Sequence, residues 1–264
     1  MIILKNCNKY FHKGSVNEVF ALNSVNLDIA EGDFISIIGS NGAGKSTLLN
    51  SIAGVFMLDS GSIMIGDRDV TSWPEYKRAK FLSRVFQDPL LGTCPSATIE
   101  QNIALAKKRG QWRGFSRGVK VKDRPEFQEK LKILGLGLEN RLQDKVGLLS
   151  GGQRQALTML MATMIRPEVL LLDEHVAALD PKTARQILTL TEEIVGHQEL
   201  TTLMITHNMK HAIQFGNRLI MLHQGRVISD VAGEEKKNLT VGDLLQKFYA
   251  SSEEELVTDA MLLA

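Results

Sequence analysis

The chain has 264 residues with 44% hydrophobic content, enough to bury the core of one large α/β domain or two smaller ones, which excludes disorder of the bulk. A formal net charge of +1 gives no global electrostatic ground for nucleic-acid binding. No apolar run approaches the ~18 residues of a spanning helix, the opening MIILKNCNKYF is too short an apolar stretch for a signal peptide, and Cys7 and Cys94, far apart and without metal-ligand spacing, are expected as reduced thiols.

Residues 2–4 and 25–29 read as strands separated by the turn-forming HKGSVNE, which predicts an opening antiparallel layer. The stretch 33–51, DFISIIGSNGAGKSTLLNS, follows. Phe34, Ile35, Ile37 and Ile38 form a short buried strand, residues 39–45 a glycine-rich turn, and Ser46, Thr47, Leu48 and Leu49 open a helix that Gly54 can end. Gly39, Gly44, Lys45 and Ser46 complete the pattern GxxxxGK[ST]. The chemistry needs these types: glycines let the backbone wrap phosphates so that successive N–H groups point inward, and the helix N-terminus adds its dipole. Lys45 then reaches the β- and γ-phosphates, while the Ser46 hydroxyl joins a Mg²⁺ ion.

Residues 61–66 read as a strand between turns, and 85–89, VFQDP, as the end of another, with Gln87 at its exit. Apolar residues at helical spacing over 98–108, 124–134 and 153–165 predict a helical insert. Between its first two helices, residues 107–124 carry eight basic residues, one acid and two aromatics. Interleaved Arg and Trp suit RNA or an anionic lipid surface, against a solvated connection with Trp112 folded onto the insert. The apolar run 169–174, VLLLDE, suits a central parallel strand whose carboxylates, Asp173 and Glu174, emerge at the edge where ligands bind in such sheets. A crossover helix over 181–195 leads to a strand over 203–206, directly followed by His207. Residues 219–222 and 227–230 flank Gln224-Gly225 as a hairpin, and 241–248 and 253–263 are expected as short amphipathic helices.

Over residues 2–235 five ordered motifs resemble the ATP-binding subunits of ABC transporters: GSNGAGKST at 39–47, Gln87, LSGGQ at 149–153, VLLLDE at 169–174 and His207, with AALDP at 177–181 between the last two. The resemblance implies an α/β fold: a P-loop NTPase core with a RecA-like, mostly parallel sheet, an antiparallel β layer and a helical ABC-specific subdomain. It implies a single cassette over 1–238, with its core at about 1–88 and 166–238 and the helical subdomain at about 89–165, then a C-terminal helical extension over 239–264. ATP would be held by Gly39, Ser40, Asn41, Gly42, Ala43, Gly44, Lys45, Ser46 and Thr47, and Mg²⁺ by Ser46, Gln87 and Asp173. Glu174 would polarise the attacking water, and His207 would hydrogen-bond the γ-phosphate. The adenine would stack on Phe11, with Tyr10 as the alternative. Ser150, Gly151, Gly152 and Gln153, at a helix start placed at Gln153, would reach the ATP of a partner subunit in a head-to-tail dimer, either a homodimer or a heterodimer with a similar cassette; Asp180 marks the D-loop.

By the same resemblance the protein would be an importer ATPase for tryptophan, tyrosine or other small organic solutes, peripheral at the cytoplasmic face of the membrane. It would couple dimer closure to separate transmembrane permease subunits, with a possible solute-binding protein and no nucleic acid. The alternative is a soluble ABC ATPase acting as a scaffold or assembly motor. His175 departs from the Pro or small residue usual after the catalytic Glu.

Overall fold

The computed structural model describes residues 1–111 and 118–250. Its elements in chain order are β1 (Ile2–Phe11), β2 (Val19–Ile29), β3 (Phe34–Gly39), α1 (Lys45–Ala53), β4 (Ser60–Ile65), β5 (Arg68–Asp69), α2 (Glu75–Arg78), β6 (Leu82–Val85), α3 (Ile99–Lys107), α4 (Arg124–Lys132), α5 (Gly151–Thr163), β7 (Val169–Asp173), α6 (Pro181–Gln198), β8 (Thr201–Ile205), α7 (Met209–Gln214), β9 (Arg218–His223), β10 (Arg226–Ala232) and α8 (Gly233–Lys237). Residues 241–250 are also helical. Trp112 and the helix expected over 253–263 lie outside the described residues. The chain divides into two compact units, Met1–Pro74 with Leu203–Ala264, and Glu75–Thr202.

In the first unit the expected antiparallel layer is present, in the order β2-β1-β4-β5. Ile2, Leu4 and Cys7 point into the core. The strand expected over 2–4 continues to Phe11 because its polar middle is bulged rather than broken. Asn6 takes φ 48°, its N–H donates to the Asn26 side chain at 2.9 Å, and its carbonyl accepts from the Asn8 amide at 2.8 Å. Asparagine tolerates that backbone and satisfies the groups the ladder loses. In the unit's other sheet, β3 runs parallel to β9, and β9 antiparallel to β10. The Thr206 N–H, just after β8, donates to the Ile37 carbonyl of β3 at 3.1 Å. Every residue from Phe34 to Ile38 is buried, as expected of a strand covered on both faces. The β9–β10 turn puts Gln224 and Gly225 at φ 43° and 75°, the doubly left-handed geometry of a tight hairpin. Leu244, in the helix over 241–250, is fully buried against Ile38, Ala212, Leu219, Met221 and Val231. The first of the two expected C-terminal helices is thus part of this core.

In the second unit β6 and β7 pair in parallel, Leu82 opposite Val169 and Val85 opposite Leu172. The helices pack through Phe127 and Leu131 of α4 and Ala156, Leu157 and Met159 of α5, all fully buried. Thr98 and Gln101 close a capping box at the start of α3, and Glu100 of α3 binds Arg124 at the start of α4 at 2.8 Å. Helix α5 begins at Gly151, two residues before the expected start. Ser150 is its N-cap: its hydroxyl accepts from the Gln153 N–H at 3.2 Å, and the Gln153 side chain accepts from the Ser150 N–H at 3.2 Å. That reciprocal pair stabilises a helix end by ~1 kcal/mol, so the two glycines enter the first turn.

Both cysteines are free thiols, Cys7 buried and Cys94 exposed. Burial pushes the Cys7 thiol up to about 11, whereas the Ser96 hydroxyl beside Cys94 lowers that thiol. The expected outcome of titration with a disulfide reagent at pH 8 is one fast thiol in the native protein, lost in Cys94→Ser, and a second only after unfolding. Two fast thiols would contradict the buried, protonated Cys7.

Candidate nucleotide site

Strand β3 delivers the chain to Gly39, and the turn ends where Lys45 starts α1. The loop is pinned from both sides by backbone oxygens. A β-carbon on Gly39 would sit 2.2 Å from the Leu222 carbonyl oxygen of β9, and one on Gly44, at φ 97°, 2.4 Å from the Ala21 oxygen of β2. Neither oxygen can move without breaking its strand, so both positions require glycine. The Ala43 carbonyl accepts from the Gly225 N–H of the β9–β10 turn at 3.0 Å, which ties the loop to that hairpin. Helix α1 starts on Gly44, which brings no side-chain cap, and has no acid in its first turn. An anion therefore suits that end. Lys45 is 5% exposed, and its ammonium donates to the Gly39 and Ser40 carbonyls at 2.8 Å each. The loop thus curls around its own cation. Asn41, Gly42 and Ser46 are exposed on its rim, and Thr47 is half-buried.

Elsewhere in this unit, the Tyr10 ring stacks flat on Phe20 at 4.1 Å with the Lys13 ammonium 4.9 Å from its centroid. Phe11 instead meets the edge of Phe56 at 5.2 Å. His207 is exposed directly after β8. The chain is held behind it, because the Asn208 N–H donates to Thr206 Oγ1 and the Asn208 side chain caps α7 through the His211 N–H, each at 3.1 Å.

In the second unit β7 ends on Asp173, and Glu174 turns the chain with φ 47°. A left-handed non-glycine residue costs ~1–2 kcal/mol and marks a position held by its surroundings. The turn is closed by the Ala177 N–H on the Glu174 carbonyl at 2.9 Å. The adjacent His175 is buried and lies 3.2 Å from Thr191 Oγ1 through Nε2. Since the Thr191 proton goes to the Ile187 carbonyl at 2.8 Å, His175 Nε2 is the donor in that pair. Gln87 is exposed just beyond β6, and the Phe86 carbonyl before it accepts from Gln155 of α5 at 3.4 Å.

The structure brings the two remaining motifs together within this unit. Asp180 caps α6 through the Thr183 N–H at 3.1 Å, and the Thr183 hydroxyl and N–H hold its carboxyl below the usual range. A β-carbon on Gly152 would lie 2.3 Å from Thr183 Cγ2, and one on Gly151 3.4 Å from Leu179 Cδ2. Ser150, Gly151, Gly152 and Gln153 therefore pack beside the turn that carries Asp180. Sequence reasoning missed three participants: Thr183, Gly225 and Arg84, the last bound to Asp173 at 2.5 Å. A polar residue three positions after Asp180 and the paired left-handed turn were the legible signals; Arg84 carried none.

A model of the family described as ABC transporter matches residues 22–177. The chain belongs to that family. It is 48% identical over 250 residues to the tyrosine transport ATP-binding protein of Clostridioides difficile, covering 94% of this chain and 98% of that one. To the methionine import ATP-binding protein MetN of the same species it is 35% identical, and to the spermidine/putrescine import ATP-binding protein PotA of Haemophilus influenzae 33%. It spans 67% and 54% of those longer chains. Among solved structures, a dimeric ATP-binding cassette in a post-hydrolysis state with ADP and Pi aligns at TM-score 0.73 and 32% identity, covering 88% of this chain and 98% of that one. A cassette in its ADP conformation aligns at 0.77 and 26%, covering 94% and 98%. The protein is the ATP-binding subunit of an ABC transporter, an ATPase of the P-loop α/β fold.

Gly44→Ala in this ABC subunit is expected to weaken ATP binding by at least about tenfold in calorimetry, because the loop must leave the Ala21 oxygen. Gly196→Ala, with nothing within 4 Å of its added β-carbon, should bind like wild type. Equal affinity for both variants would refute the pinned loop.

Proposed function

We propose that this subunit powers solute import, turning ATP-driven closure of a cassette dimer into movement of separate transmembrane subunits. The observation that carries the reading is the buried Lys45 ammonium inside a capless, glycine-pinned helix start. Its two carbonyl partners give way to the β- and γ-phosphates, which offer full charge in their place. Loop N–H groups from 39–47 cradle those phosphates, and Phe11 carries the adenine, since the flat face of Tyr10 is already stacked on Phe20.

Ser46, Gln87 and Asp173 would hold Mg²⁺, Asp173 through a water. The donors fit: hydroxyl, amide and carboxylate oxygens suit a hard cation. Among the described residues no cluster of three His, Cys, Asp or Glu forms an all-protein cage, which suits an ion that shares its ligands with phosphates. Bound there, the ion would supply charge neutralisation for the transferring phosphoryl group. Glu174, held at its left-handed turn, aligns and polarises the attacking water, and His207 donates to the γ-phosphate. Ser150, Gly151, Gly152 and Gln153 serve the nucleotide of the opposite subunit, with Asp180 beside them, so a head-to-tail homodimer or a heterodimer with a similar cassette completes each site. The cassette spans 1–238, with a helical subdomain over 89–165 and an extension over 239–264.

Among the described residues no helix is long and apolar enough to cross a membrane, and we place the subunit peripherally at the cytoplasmic face, with a solute-binding protein in the complex. The extended likeness to a tyrosine transport protein favours an aromatic amino acid or a similar small organic solute as cargo. Leu90 and Leu91 stand 42% and 70% exposed beyond Gln87, and Leu105 of α3 50%. Such apolar side chains suit a short amphipathic helix of the permease.

Glu174→Gln is expected to keep ATP binding and slow hydrolysis by about 10²-fold or more, while Lys45→Ala loses binding itself by about ten- to a hundredfold. Single-turnover and binding assays separate the two, and wild-type turnover in Glu174→Gln would remove the assigned role. Leu91→Asp should leave basal ATPase within about twofold, as surface changes do, yet abolish co-purification with the membrane subunits. Retained association would put the docking surface elsewhere.

A further inference from the structure

Arg84 lies on β6 opposite Leu171 of β7, two residues before the strand end that carries Asp173. Its guanidinium reaches forward and donates through Nη2 to Asp173 Oδ2 at 2.5 Å. The two side chains are 12% and 16% exposed, so solvent screens the pair weakly. The Arg84 Cζ also lies 4.7 Å from the centroid of the Phe86 ring, two residues on and therefore on the same face of the extended chain. Carboxylate below and aromatic face beside it hold the guanidinium in place. The carboxylates of Asp173 and Glu174 are adjacent in sequence, and without a cation they would repel each other.

We propose that Arg84 is a positioning residue for Asp173, an internal cation that neutralises the carboxylate while no divalent ion is bound. Asp173 then takes up Mg²⁺ only together with nucleotide phosphates. Because the bond engages Oδ2, it leaves Oδ1 as the oxygen that would serve the metal, as outer partners orient metal ligands. The same guanidinium lies over Phe86, next to Gln87 in sequence. This inference rests on the reading of Asp173 as a metal residue.

The test uses the full chain and Mn²⁺, read as loss of the free-ion signal in electron paramagnetic resonance. Without nucleotide, wild type should bind Mn²⁺ weakly, Arg84→Met at least about tenfold more tightly, and Arg84→Lys like wild type. Asp173→Asn added to Arg84→Met should cancel the gain, and Arg84→Gln repeats the test should the methionine variant fold poorly. A lower melting temperature with unchanged Mn²⁺ affinity in the neutral variants is what a merely structural ion pair gives, and would overturn the proposal. The underlying reading is checked separately: Asp173→Asn should weaken Mn²⁺–ATP binding in the wild-type background. If it does so while Arg84→Met changes nothing, only the role of Arg84 falls. If Asp173→Asn has no effect, the metal role of Asp173 falls and this proposal with it.

Discussion

Two backbone oxygens, those of Ala21 and Leu222, approach the phosphate loop so closely that no β-carbon fits at Gly44 or Gly39. The rest of the first unit serves that constraint. One oxygen belongs to the antiparallel layer through β2 and the other to the mixed sheet through β9, so the loop is set where the two layers converge. Strand β3 is buried from Phe34 to Ile38 because it must carry the chain into that gap without a solvent-facing side. Helix α1 leaves it at Lys45, whose ammonium turns back onto the Gly39 and Ser40 carbonyls. The backbone of a loop held this way is set before any phosphate arrives, and preorganised donors are worth more than donors that must first be gathered.

Charge is handled by a different device in each unit. The Lys45 ammonium is buried against two carbonyls, neutral acceptors that an anion readily replaces. Asp173 in the second unit is held against a full countercharge from Arg84, a stronger partner that a lone cation does not easily displace. On the proposal for Arg84, the difference suits a metal that enters together with the phosphates.

The sequence announced much of this. A central strand, glycine turn and helix start were legible because each uses a residue type its geometry demands, and a buried strand ending in paired acids was legible from its continuous apolar run. Element ends were less so. Strand β1 was read as three residues because the polar Lys5-Asn6 step hides a bulge stabilised by asparagine side chains, which propensity alone scores as a break. The start of α5 was placed late because Gly151 and Gly152 weaken a helix, whereas the S-x-x-Q spacing, a local hydrogen-bond pattern, overrides that cost. Arg84 was invisible because its partner lies 89 positions away, and register between parallel strands is not written in either strand's composition.

The cap at Ser150 has a chemical corollary. Serine, threonine, asparagine and aspartate all cap helices by accepting a backbone N–H, yet they leave different things behind. A carboxylate keeps its negative charge, and an amide must swing to present its donors. A hydroxyl that accepts from the Gln153 N–H still holds one proton that it can turn to an acceptor. One atom can thus finish the helix and offer a donor to an incoming anion in the same geometry. Aspartate at this position would cap α5 equally well and repel an anion there.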